Sequence, residues 1–206
     1  MASKVTDSLE KEYFSKGLVV VGLDEVGRGA WAGPVTVGAV VYTPGVRIQY
    51  LDDSKRLSPK RRMVAYESIR TSGLSWSVGS ATPREVDKYG LTTALHLASR
   101  RALDRLSSTY DTVLLDGSYD YVNHGTGATE SLDVVTCIKG DSLYFSMAAA
   151  SIVAKVSRDR YIASHKEAQT YGWTSNKGYA TSEHIRHVDA KGLGILHRRS
   201  FSITRK

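Results

Sequence analysis

Runs of β-branched and other apolar residues recur along the chain, and they predict five strands. The run Val19–Leu23 is apolar throughout, which is typical of a central strand that is covered on both faces. It ends abruptly at two acids, Asp24 and Glu25. Four further runs have the length and composition of strands, over residues 34–42, 74–81, 112–115 and 133–138.

Helical periodicity and capping residues predict helices between and after these strands. Four regions qualify, over residues 58–73, 83–106, 142–166 and 181–192. Ser58 is expected to cap the first with Pro59 in its first position, and Gly73 to end it. In the third, the small residues Ala148–Ser151 allow close packing. Thr181 and Ser182 can cap the fourth, which is expected to stop near Gly192.

The order of these elements predicts an α/β fold. Strands come first, and helices and strands then alternate, so we expect a mixed sheet with helices on both faces and an antiparallel hairpin or meander near the N-terminus. The chain has 206 residues, with no internal repeat and no linker. It is therefore expected to form a single domain over residues 1–206, in which residues from about 165 onward form a helical, basic, substrate-contacting part.

Composition narrows the possible partners only slightly. The 28 Lys and Arg residues outnumber the 21 Asp and Glu residues, a net charge of +7 that weakly favours a nucleic acid as partner. Residues 177–206 carry seven Lys and Arg against two acids. A single cysteine excludes an internal disulfide framework and a thiolate zinc site. With no apolar signal segment and no run of membrane-spanning length, we expect a cytoplasmic protein without membrane association.

Carboxylates follow two of the predicted buried strands and supply the candidate chemistry. Asp24 and Glu25 end the first, Asp116 ends the fourth, and Asp141 stands just before the long helix. If the first and fourth strands are parallel neighbours, their ends fall at the same edge of the sheet. Oxygen ligands from separate elements are typical of a site for Mg²⁺ or Mn²⁺.

Each acid also has an ordinary structural interpretation. Asp116-Gly117 is a common turn dipeptide, and Asp141 is suited to cap the helix that follows it. Neighbouring strand residues point to opposite faces. Asp24 and Glu25 can therefore share a metal only if the strand bends or one of them uses its backbone carbonyl.

Six blocks, in order along nearly the whole chain, resemble ribonuclease HII (type 2 ribonuclease H) of the bacterial type. They are DEVGRGAWAGPV, DDSKRLSPKRR, LLDG, KGDSLYFSMAAASIVAKVSRDRY, NKGYATSEH and LHRRSF. The resemblance implies a ribonuclease H-like fold with a helical C-terminal extension and a divalent cofactor, Mn²⁺ or Mg²⁺. It also implies cleavage of RNA in RNA/DNA hybrids and incision at single ribonucleotides embedded in duplex DNA, giving 5′-phosphate and 3′-hydroxyl ends.

The same resemblance assigns roles to particular residues. The metal-binding, catalytic acids of the family fall on Asp24, Glu25, Asp116 and Asp141. The motif that meets the nucleic-acid backbone at the ribonucleotide falls on Gly27, Arg28 and Gly29, and the tyrosine that stacks at the RNA–DNA junction falls on Tyr179. Lys55 matches a lysine expected near the nucleic-acid backbone. One departure is Gly90, where the family pattern leads us to expect Asn.

The remaining basic residues and histidines carry weaker expectations. Two groups are candidates for contacts with phosphates: Lys55, Arg56, Lys60, Arg61 and Arg62, and then Arg186, Arg198 and Arg199. Lys155 and Asp159 have the spacing of a structural ion pair. His184 and His187 are expected at the surface rather than as metal ligands. We expect a monomer. No protein partner is evident, since residues 196–206 contain no obvious clamp-binding peptide.

Three alternative functions stay open at this point. The chain could be a junction resolvase of the same broad fold, although the Gly27–Gly29 and Tyr179 blocks argue against it. A hybrid-binding protein without catalysis would not need all four acids. If the acids are only turn and cap residues, the protein should bind no metal.

Overall fold

The structure is a computed structural model that describes residues 5–125 and 131–201. Its strands are β1 (Val20–Val26), β2 (Val35–Val41), β3 (Trp76–Ala81), β4 (Thr112–Asp116) and β5 (Asp133–Cys137). Its α-helices are α1 (Ser8–Ser15), α2 (Pro59–Thr71), α3 (Pro83–Tyr89), α4 (Leu91–Leu103), α5 (Phe145–Ser164), α6 (Trp173–Asn176) and α7 (Ser182–Lys191). A short 3₁₀ turn, Gly140–Ser142, precedes α5.

The five strands form one mixed sheet in the order β3-β2-β1-β4-β5. β1, β2 and β3 pair antiparallel as the predicted meander, whereas β4 and β5 run parallel to β1. The predicted α/β class is therefore confirmed, with β1 at the centre of the sheet. β1 continues three residues beyond Leu23, so Asp24 and Glu25 belong to the strand itself.

Helices cover both faces of this sheet, and β1 alternates between them. Val20 packs on the side of α2 and α5, whereas Val21 and Leu23 pack on the side of α3 and α4. α5 lies so close to the sheet that a Cβ at Gly22 would overlap the main chain at Ser146. Ala148–Ala150 are fully buried at this contact, as their size predicts.

Four helical regions differ from the sequence prediction, and one of them is the short helix α6, which lies outside every predicted helical region. The region from Pro83 is divided into α3 and α4 at Gly90, whose φ of 79° and ψ of 165° are accessible essentially only to glycine. α5 begins at Phe145 rather than Ser142, because Tyr144 is extended after the 3₁₀ turn. α1 was not predicted at all. Only Leu9 and Tyr13 of this helix pack their apolar side chains against the core, and its fully buried residue is Glu10, so the apolar stripe is too short to indicate a helix.

The C-terminal part packs on the end of α5. Its small core is formed by Ala32, Ile162, Ala168, Tyr171, Trp173, Val188 and Leu196. None of the helices in the described part of the chain combines the length and the apolar composition that a membrane span requires. Residues 202–206, which complete the predicted C-terminal part and the segment without a clamp-binding peptide, lie outside the described residues.

Candidate active site

Three of the four predicted acids converge at one edge of the sheet. Asp24, Asp116 and Asp141 each bring a carboxylate oxygen to within 4.8 Å of the other two. Leu23 and Leu115 are partners on parallel strands, so the aspartates that follow them meet at the same edge. Asp141 enters from the 3₁₀ turn after β5, and its N–H donates to Asp116 Oδ1 over 3.4 Å.

The carboxylates of this three-carboxylate site are largely buried and lie close together, so desolvation and mutual repulsion both disfavour their charged forms. Asp24 and Asp141 are only 3% and 5% exposed. Desolvation raises the pKa of Asp24 well above its ordinary value, and the neighbouring carboxylates of Glu25 and Asp116 raise it further. Desolvation and then Asp141 raise the pKa of Asp116. A divalent cation would relieve both effects, and the all-oxygen ligand set suits Mg²⁺ or Mn²⁺.

Lys55 supplies one cation at the rim of the site. Its Nζ lies 3.4 Å from Asp141 Oδ2, while the side chain stays 70% exposed. Partial burial lowers its pKa, but the carboxylates of Asp24 and Asp141 outweigh this and raise it above the ordinary value. Lys55 is therefore a protonated side chain that faces both the acids and the solvent.

The carboxylate of Glu25 lies apart from these three. Its Oε2 accepts a hydrogen bond from the Tyr121 hydroxyl over 3.1 Å, and its Oε1 is 3.6 Å from Arg28 Nη1. Tyr121 belongs to the core on the side of α3 and α4, opposite the face that carries Asp24. β1 stays regular through Val26, so the alternation of a strand separates the two acids. Burial raises the pKa of Glu25.

A cavity of about 290 Å³ opens beside the three-carboxylate site. Asp24, Glu25, Lys55 and Tyr179 all line it, together with Val26, Ser54, Ser151 and Lys155. Lys155 pairs with Asp159 over 2.8 Å, as their spacing predicts. A larger cavity of about 580 Å³ lies between residues 5–11 and 45–51, but among the described residues that line it Asp7 is the only acid. The smaller cavity therefore combines the chemistry that a nuclease needs.

The Gly27-Arg28-Gly29 turn presents its main chain in two different ways. Gly27 has φ +85°, and a Cβ there would overlap the guanidinium of Arg158. At Gly29, by contrast, a Cβ would meet no atom within 4 Å. The Arg28 side chain is 59% exposed. The turn is thus packed on one side and open to a ligand on the other.

Tyr179 stands on a turn that is joined directly to the segment after Gly29. The Gly178 carbonyl accepts hydrogen bonds from Trp31 N and Ala32 N over 2.8 and 3.1 Å. Gly178 has φ +81°, and a Cβ there would overlap the Ala32 carbonyl oxygen. The ring of Tyr179 is 36% exposed and faces the same cavity as Asp24. The predicted sugar-stacking residue is therefore placed within reach of the acidic site.

Arg158 holds these two segments together, and sequence reasoning missed it. The side chain is 1% exposed and donates from Nε to the Pro34 carbonyl, from Nη2 to Ala32 and from Nη1 to Lys177, each over 2.9 Å. Its guanidinium lies 5.6 Å from the centre of the Tyr179 ring. An arginine in a basic helix is normally solvated, so the sequence carries no signal of this role.

Two sequence expectations in this region are wrong. Arg198 is not available to a phosphate, because it is buried and donates to the carbonyls of Gly33 and Arg28 over 3.1 and 3.0 Å. His184 is not at the surface, because it is fully enclosed by aromatic rings. Arg62 also has a structural role, since it binds the carbonyls of Ser54 and Leu57.

Solved structures of similar fold define the class of protein. The ribonuclease H2 from Pyrococcus horikoshii OT3 matches with a TM-score of 0.71 and 26% identity, over 89% of this chain and 94% of that one. The Archaeoglobus fulgidus structure of a PCNA:RNase HII complex matches with a TM-score of 0.72 and 26% identity, over 92% and 98% of the two chains. The chain therefore has the α/β fold of the ribonuclease H enzymes.

Sequence comparison gives the family within that class. The chain belongs to the ribonuclease HII family, whose model matches residues 21–204. Ribonuclease HII of Wolbachia pipientis subsp. Culex pipiens is 40% identical over 89% of this chain and 90% of its own length. That of Streptomyces avermitilis is 42% identical over 89% and 77%. The protein is thus a ribonuclease H, an endonuclease that acts on RNA paired with DNA.

Proposed function

We propose that this protein hydrolyses the RNA strand of RNA/DNA hybrids and also incises duplex DNA at single embedded ribonucleotides, leaving 5′-phosphate and 3′-hydroxyl ends. The observation that carries the proposal is the shared cavity. Asp24 and Tyr179 line it together, so a residue suited to hold a metal faces a residue suited to read a sugar. An all-DNA nuclease has no need of the second.

Asp24, Asp116 and Asp141 are proposed to hold Mn²⁺ or Mg²⁺ through their carboxylates, with Glu25 as a further ligand through its backbone carbonyl, because its carboxylate lies on the other face of the strand. Bound divalent ions supply an activated water, neutralisation of the phosphate charge and stabilisation of the leaving oxygen. Lys55 remains protonated beside Asp141 and extends from the acids toward the solvent. It is therefore suited to bind a phosphate next to the one that is cleaved.

Selectivity for ribose is proposed to come from main-chain groups at Gly27–Gly29 and from Tyr179. The space beside Gly29 is open, which lets a backbone amide or carbonyl approach the 2′-hydroxyl that distinguishes RNA from DNA. The half-exposed ring of Tyr179 is suited to stack on the neighbouring deoxyribose, where a 2′-hydroxyl is missing. Together they recognise a ribonucleotide followed by a deoxyribonucleotide.

The rest of the duplex is proposed to contact exposed basic side chains and the part of the chain from about residue 165 onward. Arg56, Lys60, Arg61, Arg186 and Arg199 remain exposed and suited to phosphates. Replacing any one of them should weaken binding similarly for all sequences and flatten its salt dependence. We propose that the protein acts as a monomer.

The test is a panel of substrates cleaved in Mg²⁺ and in Mn²⁺. It contains a duplex with one embedded ribonucleotide, a uniform RNA/DNA hybrid, a four-way DNA junction and an all-DNA duplex. We expect cleavage of the first two only, with mapped ends that carry 5′-phosphate and 3′-hydroxyl. Cleavage of the junction, or no incision at the embedded ribonucleotide with either metal, would refute the proposal.

A further inference from the structure

Three buried rings lie behind the Tyr179 turn and form a hydrogen-bond network. Trp173 and His184 are fully buried, and His197 is 3% exposed. Trp173 Nε1 donates to His184 Nε2 over 3.1 Å, and the Nε2 atoms of the two histidines lie 3.0 Å apart. Nothing in the proposed chemistry uses these rings, so their arrangement needs another explanation.

The partners of each ring nitrogen fix where the protons lie. The indole N–H of Trp173 can only donate, so His184 Nε2 is an acceptor and His184 Nδ1 carries the proton. Gly194 N–H donates to His197 Nδ1 over 2.8 Å, so His197 carries its proton on Nε2 and shares the single lone pair of His184 Nε2 with the Trp173 N–H. Both imidazoles are therefore neutral, and His184 Nδ1–H is free to donate outward.

That outward bond goes to Tyr179. His184 Nδ1 lies 3.0 Å from the Tyr179 carbonyl oxygen, which also accepts from Thr181 N over 2.8 Å. The ring of His184 is 6.1 Å from the ring of Trp31, which follows the Gly27–Gly29 turn closely in sequence. His184 thus contacts the Tyr179 turn and the segment that continues from the glycine turn.

We propose that His184 is a positioning residue for selectivity: its Nδ1–H bond to the Tyr179 carbonyl holds the tyrosine at the spacing from the Gly27–Gly29 turn that a ribonucleotide–deoxyribonucleotide step requires. The inference rests on the proposed role of Tyr179. It adds a residue that acts through its bond to the Tyr179 main chain, and it explains why a neutral histidine network is buried beside the proposed nucleic-acid site.

Two amide replacements separate the two ends of the imidazole. His184→Asn places an amide near the position of Nδ1, where it can still donate to Tyr179. His184→Gln places its amide near the position of Nε2 and leaves the Tyr179 carbonyl without this donor. For each variant, the measured quantity is kcat/KM on the embedded-ribonucleotide duplex divided by kcat/KM on the uniform hybrid. Because this ratio is internal to one preparation, a smaller folded fraction lowers both rates and leaves the ratio unchanged.

We expect His184→Gln to lower the ratio about tenfold, the effect of losing one buried hydrogen bond that acts on one substrate, and His184→Asn to stay within about threefold of the wild-type ratio. His187→Ala is the matched control, since His187 lies on the same helix and is more exposed. It should leave the ratio unchanged. In a Tyr179→Ala background, His184→Gln should have no further effect on the ratio.

The inference is overturned if His184→Gln keeps the wild-type ratio, or if the Asn and Gln variants lower it equally. Tyr179→Ala separates this failure from a failure of the proposed function. If Tyr179→Ala lowers the ratio and His184→Gln does not, only the role of His184 is wrong. If Tyr179→Ala itself leaves the ratio unchanged, the proposed role of Tyr179 is wrong and the inference falls with it.

Discussion

Buried polar groups have opposite surroundings at the edge of the sheet, where acids lie beside acids, and in the loops next to it, where a cation lies beside carbonyls. At the edge, Asp24 is buried and Asp116 is half-buried, both close to other carboxylates, and their pKa values are raised because desolvation and repulsion outweigh the nearby hydrogen bonds and Lys55. In the loops, Arg158 is equally buried, but it donates to three main-chain carbonyls. The first region is built to attract a cation, whereas the second is built to hold a shape.

This difference determines how each region contributes to the free energy of unfolding. Unrelieved carboxylates destabilise the metal-free fold and gain from any divalent ion that binds. The buried Arg158 guanidinium also carries a desolvation cost, which lowers its pKa, but its removal would leave three carbonyls without their donor and destabilise the fold. Substitutions in the two regions should therefore have opposite effects on the free energy of unfolding.

The largest expected effect is the loss of catalysis in Asp24→Asn. Removing a central acid should lower kcat on the uniform hybrid by on the order of 10⁴-fold, or roughly 5 kcal/mol of transition-state stabilisation. The same change removes a repelled buried charge, so the metal-free variant should unfold at a higher temperature than the wild type. Both are measured on one preparation, by cleavage and by thermal unfolding in EDTA. Asp104→Asn, at the exposed end of α4, is the control. Wild-type turnover would show that Asp24 is not a central ligand.

Arg158→Ala, in contrast to Asp24→Asn, should lower the stability of the fold. It strips three buried carbonyls of a charged donor, and we expect it to lower the free energy of unfolding by about 4 kcal/mol in urea titrations. Arg160→Ala is matched in chemistry and helix, but the Arg160 side chain is 55% exposed, so a change within about 0.5 kcal/mol is expected. Equal losses in the two variants would mean that the three carbonyl contacts do not stabilise the fold.

The two regions should also respond to acid with opposite signs. Desolvation, reinforced by His184, lowers the pKa of His197 to about 4. The unfolded chain therefore takes up a proton first as the pH falls below about 6.5, and the neutral ring loses about 3 kcal/mol of stabilisation by pH 4. The raised pKa of Asp24 means that the folded protein takes up a proton first there, so its contribution to stability rises as the pH falls.

Urea unfolding of the metal-free protein between pH 7 and pH 4 separates these two contributions. Asp24→Asn removes the carboxyl group whose contribution to stability rises in acid. The free energy of unfolding of this variant should therefore fall more steeply with decreasing pH than that of the wild type. His197→Asn removes the ring whose contribution to stability is lost in acid. The free energy of unfolding of this variant should therefore fall less steeply with decreasing pH. If both variants follow the wild-type slope, neither group is perturbed in the way that its burial implies.

The same contrast explains how much could be predicted from the sequence. Asp24 and Asp116 could be placed at one edge because each ends an apolar run, and parallel strands put such ends together. Separation of Glu25 from Asp24 also follows from the alternation of a strand. These positions are set by regular secondary structure, which hydrophobic patterns encode directly.

The loops could not be predicted in this way. Arg158 and Arg198 are polar residues whose roles depend on carbonyls distant in sequence, such as those of Ala32 and Gly33, and His184 depends on the rings of Trp173 and His197. The sequence around each of these residues does not indicate burial, and residues of these types usually lie at the surface. α1 was missed for a related reason, because Glu10 makes its contact with Ser146 on a different helix.

The smallest expected effect comes from the Gly27-Arg28-Gly29 turn, where Gly27 is packed against the protein and Gly29 faces open space. Gly27→Ala places a Cβ against Arg158 at a φ of +85°, so it should cost about 2 kcal/mol in the free energy of unfolding. Gly29→Ala meets open space and should stay within about 0.5 kcal/mol of the wild type. If Gly29 leaves that space for a ribose, its variant should nevertheless cleave the embedded-ribonucleotide duplex more slowly than the wild type. A Gly29→Ala protein with wild-type stability and wild-type cleavage would place the ribose elsewhere, and the turn would then serve packing alone.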